Sequence, residues 1–173
     1  MKSITKILSL GVLLLVVSST QLSAQKCKFD YDKKDPITGE QTKKITLKIN
    51  MAWYVGFNEV EGKYFISMDF FIPGNNIKEF ISPENTVIFK LTNGELITLH
   101  ANDNYIPTIR ASESIVSVYN AKYDISKEDL QKLATYPLAF IRMGIGSGKH
   151  DIDREIKAKE GVEFQNNAKC ILQ

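Results

Sequence analysis

Residues 53–71 have the sequence WYVGFNEVEGKYFISMDFF, in which apolar and polar residues alternate on both sides of Glu61-Gly62. Alternation with a period of two is typical of β-strands that bury one face. If Glu61-Gly62 forms a two-residue hairpin loop, the register of the two strands has no free parameter. Three apolar pairs then share one face, which favours the hairpin: Phe57 with Ile66, Val55 with Met68, and Trp53 with Phe70.

This register divides the aromatic residues of the hairpin between two faces. The inner set is expected to be core: Trp53, Phe57, Tyr64 and Phe70. The opposite face carries Tyr54, Phe65 and Phe71. If neither the second sheet nor a helix covers that face, these three side chains form a partner-binding patch.

Two further hairpins are predicted from glycine-containing turns. Asn93-Gly94 is typical of a two-residue type I′ turn. It would pair Leu91 with Leu96 on one face and Ile88 with Leu99 on the other, which places that hairpin inside the fold. A turn at Ser147-Gly148 would give three pairs: Met143 with Ile152, Ala139 with Ile156, and an exposed Arg142 with Asp153.

Helix signals are confined to the last third of the chain. Ser126 is a predicted N-cap with Asp129 at the third helical position, and Leu130, Leu133 and Ala134 would face the core. A second helix is predicted over residues 160–172, from a stripe of apolar residues at helical spacing.

These elements favour a mainly β fold. About seven or eight strands in hairpins, with two short helices, predict an antiparallel β-sandwich or a curled sheet. The alternative is an open antiparallel α+β sheet with the helices on one face. An apolar content of 43% and a charged content of 24% are ordinary for globular domains and argue against a disordered chain.

Residues 1–24 have the pattern of a secretory signal peptide. Lys2 and Lys6 precede an apolar run over residues 7–17, and Leu22-Ser23-Ala24 provides small residues for cleavage. The run is shorter than the roughly 20 residues of a membrane-spanning helix. We therefore expect no transmembrane segment, export to the bacterial periplasm or medium, and one β-rich domain over residues 25–173.

The charge balance bears on the class of partner. The full chain has 22 Lys and Arg against 20 Asp and Glu, and cleavage after Ala24 would remove two lysines and no acids. The mature chain would then be formally neutral, at 20 against 20. Neutrality gives no compositional support for nucleic-acid binding.

The two cysteines lie near the two ends of the mature chain. An even number of cysteines in an oxidising compartment predicts a disulfide, here between Cys27 and Cys170. The alternative is two free thiols. A bridge would close a loop of 143 residues, for which the chain-entropy model gives a ceiling of about 5 kcal/mol.

Catalytic signals are weak. His100 and His150 have no HxH, HExxH or cysteine partner at ligand spacing. We predict no catalytic residue, no metal site and no cofactor. The leading hypothesis is therefore a non-enzymatic exported domain that binds a protein or a glycan. The competing hypothesis is a hydrolase or metal-dependent enzyme that uses His100, Asp103 and the neighbouring polar loop.

Residues 123–133, YDISKEDLQKL, together with Ile141-Arg142, resemble a segment of small, uncharacterised secreted proteins of Bacteroidetes. The similar segment covers a minor part of the chain, and its residues have structural roles as cap and core. The resemblance implies export and a β-rich domain. It implies no activity and no functional residue.

Overall fold

The structure, a computed structural model, describes residues 27–74, 79–111, 114–146 and 150–173. The predicted signal peptide and the turn residues Ser147-Gly148 lie outside the described residues. The described residues form ten strands, listed here in chain order: β1 Tyr31–Lys34, β2 Gln41–Asn50, β3 Trp53–Val60, β4 Lys63–Pro73, β5 Thr86–Leu91, β6 Leu96–His100, β7 Thr108–Ala111, β8 Ile115–Ile125, β9 Leu138–Ile145 and β10 His150–Glu155. The described residues also form two helices, α1 Lys127–Thr135 and α2 Ala158–Ile171.

The strands form two antiparallel sheets. A strongly curled six-stranded sheet has the order β1-β2-β3-β4-β8-β7, and a four-stranded sheet has the order β10-β9-β5-β6. An isolated bridge between Ala101 and Tyr123 connects the end of β6 to β8. The predicted mainly β, antiparallel fold is confirmed. The described strands outnumber the seven or eight expected, in part because β1 and β7 have only four residues each and lack apolar alternation.

The register predicted for β3 and β4 is confirmed residue by residue. Phe57 faces Ile66, Val55 faces Met68 and Trp53 faces Phe70. The loop is the expected two-residue turn, because Glu61 and Gly62 both have positive φ, at 53° and 76°.

The register predicted from Asn93-Gly94 is wrong by one residue. Val87, not Ile88, pairs with Leu99, and His100 faces Thr86. The loop has three residues, closed by a hydrogen bond from the Leu91 amide to the Glu95 carbonyl at 2.9 Å.

Local backbone geometry and packing of the strands both explain why this loop has three residues. A type I′ turn needs positive φ at both central residues, and here only Gly94 has it, at 90°. The Asn93 side chain accepts instead from the Glu95 amide at 3.1 Å. The shifted register places the buried residues of this hairpin on one face: Val87, Phe89, Leu91, Ile97 and Leu99. The opposite face of the hairpin is therefore not internal.

The third predicted hairpin is confirmed in its strands. Met143 pairs with Ile152, and Arg142 pairs with Asp153. The Ile156 amide donates to the Ala139 carbonyl at 3.0 Å. The Arg142 guanidinium binds both oxygens of Asp153, at 2.7 and 2.6 Å, and this holds the pKa of Asp153 below its ordinary value.

The helices begin where the sequence predicts, within two residues. Ser126 caps α1 by accepting from the Asp129 amide at 3.0 Å, and Leu130, Leu133 and Ala134 are buried. The second predicted helix, over residues 160–172, is α2 and spans Ala158–Ile171.

One core spans both sheets, and α2 contributes its central side chain. The Phe164 ring lies edge-on to Phe57 of the six-stranded sheet, with centroids 4.6 Å apart. It also lies edge-on to Phe89 of the four-stranded sheet at 5.4 Å. The inner faces of both sheets therefore pack against helix α2 in the core.

Gly161 allows α2 to approach the start of β9. A Cβ atom at this position would lie closer to the Leu138 carbonyl oxygen than real Cβ atoms approach. The obstructing atom is backbone, so no side-chain rotation can relieve the contact. Gly161 thus sets how closely the helix packs on the four-stranded sheet.

The predicted disulfide joins Cys27 to Cys170, with Cα atoms 5.5 Å apart and a sequence separation of 143 residues. Cys170 lies in the last turn of α2, and Cys27 precedes β1. The bond therefore joins the helix that completes the core to the segment that leads into β1.

Removal of the disulfide should destabilise the fold without changing its architecture. We expect the double variant Cys27→Ser/Cys170→Ser to lose about 2–5 kcal/mol of unfolding free energy, because its unfolded chain is less constrained. Urea unfolding at equilibrium, beside the unreduced parent, measures this loss. An unchanged midpoint, or two alkylatable thiols in the untreated parent, would contradict the assignment.

Replacement of Gly161 by alanine tests the close approach of α2. Helix propensity alone favours alanine by about 1 kcal/mol. The contact with Leu138 should outweigh this gain, and we expect a net loss of about 1–3 kcal/mol. The control is Val162→Ala, at the next helical position, where the side chain is 44% exposed and the change should be close to neutral. A Gly161→Ala protein as stable as the parent in urea would refute the packing described.

Candidate functional site

The six-stranded sheet has a second face that points away from the core. Residues directly opposite each other in antiparallel strands point to the same side, so the registers from β1 to β8 identify that face. We call it the outer face and define it by its aromatic and polar side chains: Tyr31, Lys33, Lys44, Lys48, Tyr54, Asn58, Lys63, Phe65, Ser67, Asp69, Phe71, Asn120, Lys122 and Asp124.

The three residues of the predicted patch share the outer face but are not contiguous. Tyr54 lies opposite Asp69, and Phe65 lies four residues from Asp69 along β4, or about 13 Å. Phe71 lies on the far side of Asp69. All three side chains are half-buried. The structure therefore places Tyr54 and Phe71 as diagonal neighbours and sets Phe65 apart from them, with polar side chains between.

Lysine ammonium groups lie over three rings of the outer face. Lys48 lies 5.7 Å from the centroid of Tyr54, and Lys122 lies 5.4 Å from that of Phe65. Lys33 lies 5.3 Å from the centroid of Tyr31. Each contact has the geometry of a cation–π interaction, worth about 0.5–1 kcal/mol at an exposed position.

Tyr31 and Lys33 were missed by sequence reasoning. Their strand, β1, is short and fully exposed, so no apolar alternation marks it. A usable signal existed in the turn between β1 and β2, where Asp35 accepts from the amides of Ile37 and Thr38 at 2.7 and 2.9 Å. These bonds lower the pKa of Asp35 and close the turn that pairs Tyr31 with Lys44.

Amide side chains hold the polar groups between the rings. Asn120 donates to Asp69 at 2.7 Å. The Asn58 side-chain nitrogen lies 3.1 Å from the Ser67 hydroxyl and 3.3 Å from the Phe65 carbonyl. These contacts fix the polar side chains before any ligand arrives.

The outer face is basic, although the mature chain is predicted to be neutral. On the five strands β1, β2, β3, β4 and β8 its charged side chains are five lysines and two aspartates. The two aspartates, Asp69 and Asp124, each accept a hydrogen bond from an asparagine, at 2.7 and 3.2 Å. A groove of about 710 Å³ opens beside Phe65 at the end of the β3–β4 hairpin, and its border adds one cation, Lys127, and one acid, Glu61.

The four-stranded sheet also has a solvent-facing side, which differs in charge. Ile88, Leu96 and Phe140 border a groove of about 700 Å³ there, and Leu96 is 61% exposed. Arg142 on that side is already paired with Asp153. The wrong register at Asn93-Gly94 hid this surface from sequence reasoning, because it assigned residues on that face to core pairs.

His100 and Asp103 do not form a pair. The His100 ring nitrogen Nδ1 lies 3.1 Å from the Pro83 carbonyl, which can only accept, so Nδ1 carries the hydrogen in this bond. The Asp103 carboxylate accepts from the amide of Asn104 at 2.7 Å. Within the described residues, no hydrogen bond or ion pair joins His100 to Asp103.

The tyrosines near this loop stay protonated at neutral pH. Burial raises the pKa of Tyr123, whose hydroxyl is buried without a hydrogen-bond partner among the described residues. Burial also raises the pKa of Tyr105, which donates to the Asn102 side chain. A tyrosine with a raised pKa is a poor general base.

No three or more His, Cys, Asp or Glu side chains of the described ranges converge so as to hold a metal ion. No helix within them has the length and apolar character needed to span a bilayer.

Comparison of the chain with protein-family models, with curated protein sequences and with solved structures finds no match in any of the three.

The orientation of the outer aromatic residues can be tested by substitutions in β3 and β4. We expect Phe71→Ser and Tyr54→Ser each to cost about 1 kcal/mol, the size of a lost cross-strand contact. Phe70→Ser is the matched control, because Phe70 is fully buried on the inner face and should cost at least about 3 kcal/mol. Urea unfolding measures all three variants. Equal losses at residues 70 and 71 would show that Phe71 belongs to a packed core.

Proposed function

We propose that this chain is an exported, non-enzymatic, single-domain protein that binds a partner, a protein or a glycan, through the outer face. The observation that carries the proposal is the open, basic, aromatic face of the six-stranded sheet. Half-buried rings with fixed polar neighbours present contact area at a low cost in conformational entropy, as binding surfaces require.

Export is supported by three features that agree. The first 24 residues have the charge and hydropathy pattern of a cleaved signal peptide. The bond between Cys27 and Cys170 is of the kind that persists in oxidising compartments. The resemblance of residues 123–133 to secreted proteins of Bacteroidetes is consistent with both. We place the protein in the periplasm or in the medium.

A non-enzymatic role is supported by the state of the catalytic candidates. His100 and Asp103 are each held by a separate local contact, with Pro83 and Asn104. The outer face, in contrast, has extended area and preformed polar contacts. These features suit recognition better than proton transfer or nucleophilic attack.

Photo-crosslinking in producing cells tests this proposal. A benzoylphenylalanine at position 65 reports on the outer face, and one at position 98 is the control, because Thr98 is exposed on the solvent-facing side of the four-stranded sheet. We expect adducts from position 65 in the periplasmic or medium fraction, and few from position 98. Equal yields at the two positions, or adducts confined to the cytosol, would contradict the proposal.

A further inference from the structure

The charge of the outer face narrows the class of partner. Five lysines face outward from strands β1 to β4 and β8 of this sheet: Lys33, Lys44, Lys48, Lys63 and Lys122. The two aspartates on the same strands each accept an asparagine hydrogen bond. The face therefore attracts anions, whereas the exposed side of the four-stranded sheet carries Asp151, Asp153 and Glu155 beside its cations.

The position of the lysines is as informative as their number. Lys33, Lys48 and Lys122 extend over Tyr31, Tyr54 and Phe65. Each ammonium group is thus next to an aromatic ring, so one ligand unit can contact a flat apolar surface and a positive charge together. Three such units recur across a face that spans about 19 Å from β1 to β8. Repetition of this kind fits a polymer with a repeating chemical unit.

The alternation of rings and polar groups distinguishes a glycan from a protein. The cores of protein interfaces are contiguous, apolar and depleted in lysine. Here Asp69 and Ser67 lie between the rings of Tyr54 and Phe65. A sugar ring has apolar C–H faces and a rim of hydroxyl groups, so it can lie on an aromatic ring while its rim contacts the polar side chains beside it.

We propose that the outer face binds an acidic polysaccharide, a glycan whose repeating units carry carboxylate or sulfate groups. This inference rests on the proposed function, because it names the partner class of the same face. On binding, the lysine ammonium groups move from over the rings to the anionic substituents. The uncovered rings of Tyr31, Tyr54 and Phe65 then contact the sugar faces. Asn120 and Asp69, already joined at 2.7 Å, present fixed polar atoms to the hydroxyl groups.

Affinity electrophoresis of the purified protein tests the partner class. Native gels contain polygalacturonate as the carboxylated polymer, chondroitin sulfate as the sulfated polymer, or dextran as the neutral one. A polyglutamate gel and phosphatidylglycerol vesicles provide anions that are not glycans. We expect retardation by at least one acidic polymer and none by dextran, with the effect weakened at high salt because the contacts are exposed. The two acidic gels show whether carboxylate or sulfate is preferred.

Two variants that lose the same number of charges distinguish binding by the outer face from an effect of net charge. The triple variant Lys33→Gln/Lys48→Gln/Lys122→Gln should bind about tenfold more weakly or worse, because it removes the cation next to each ring. The control variant Lys90→Gln/Lys159→Gln/Lys169→Gln removes the same charge from exposed positions outside this face, and should keep its affinity within about twofold. Tyr54→Ser/Phe65→Ser should also weaken binding.

Several outcomes would overturn the inference. Equal weakening of the two lysine triples would mean that only net charge matters. Equal retardation by polyglutamate would indicate an acidic protein, and binding confined to phosphatidylglycerol vesicles would indicate a membrane surface. Retardation by dextran alone, or by no polymer, would also overturn it. If position 65 still crosslinks in cells after any of these results, the proposed function stands and only the acidic-glycan inference fails. Absence of both signals rejects both.

Discussion

The contact of Phe164 with Phe57 and Phe89 is the interaction on which the rest of the fold depends. It places one helical side chain between two sheets, with ring centroids 4.6 and 5.4 Å apart. Because α2 fills the space between the inner faces, both sheets must turn their other faces to solvent. Gly161 sets the approach of the helix to β9, and Cys170 bonds its last turn to Cys27.

The exposed sides of the two sheets differ in charge and in chemistry. The four-stranded sheet carries apolar side chains and a bidentate ion pair between Arg142 and Asp153, whose charges satisfy each other. The outer face of the six-stranded sheet carries five lysines, three of which lie over aromatic rings. These lysines remain able to bind an external anion. The mature chain, predicted to be neutral in total, can thus have one basic surface, because its charges are distributed unevenly.

The parts of the fold that were predicted correctly from the sequence depend mostly on local patterns. The period-two alternation around Glu61-Gly62 has one register that buries three apolar pairs, so turn and burial agree. The register predicted from Asn93-Gly94 was wrong because this dipeptide fits loops of two and of three residues. The three-residue loop allows Phe89 and Ile97 to be buried on one face. The start of α1 at Ser126 was predicted correctly, because a helix cap depends only on residues that are close in sequence.

The candidate site was predictable only in part, because it is assembled from residues far apart in the chain. Tyr54 and Phe65 were assigned to the correct face from a single hairpin. The pairing of β4 with β8, which brings Lys122 over Phe65, has no signature in either strand alone. The short, fully exposed β1 also has no sequence pattern that would place Tyr31 on the same surface.

The most direct test of the outer face as the binding surface is amide chemical-shift mapping with an oligogalacturonate. Binding there should shift the amides of Tyr54, Phe65 and Lys122 in one concentration-dependent transition and leave those of Ile88 and Leu96 unchanged. Shifts confined to the four-stranded sheet would contradict binding at the outer face. No shift at millimolar ligand, with a chondroitin sulfate oligosaccharide as with the oligogalacturonate, would contradict its binding of acidic glycans.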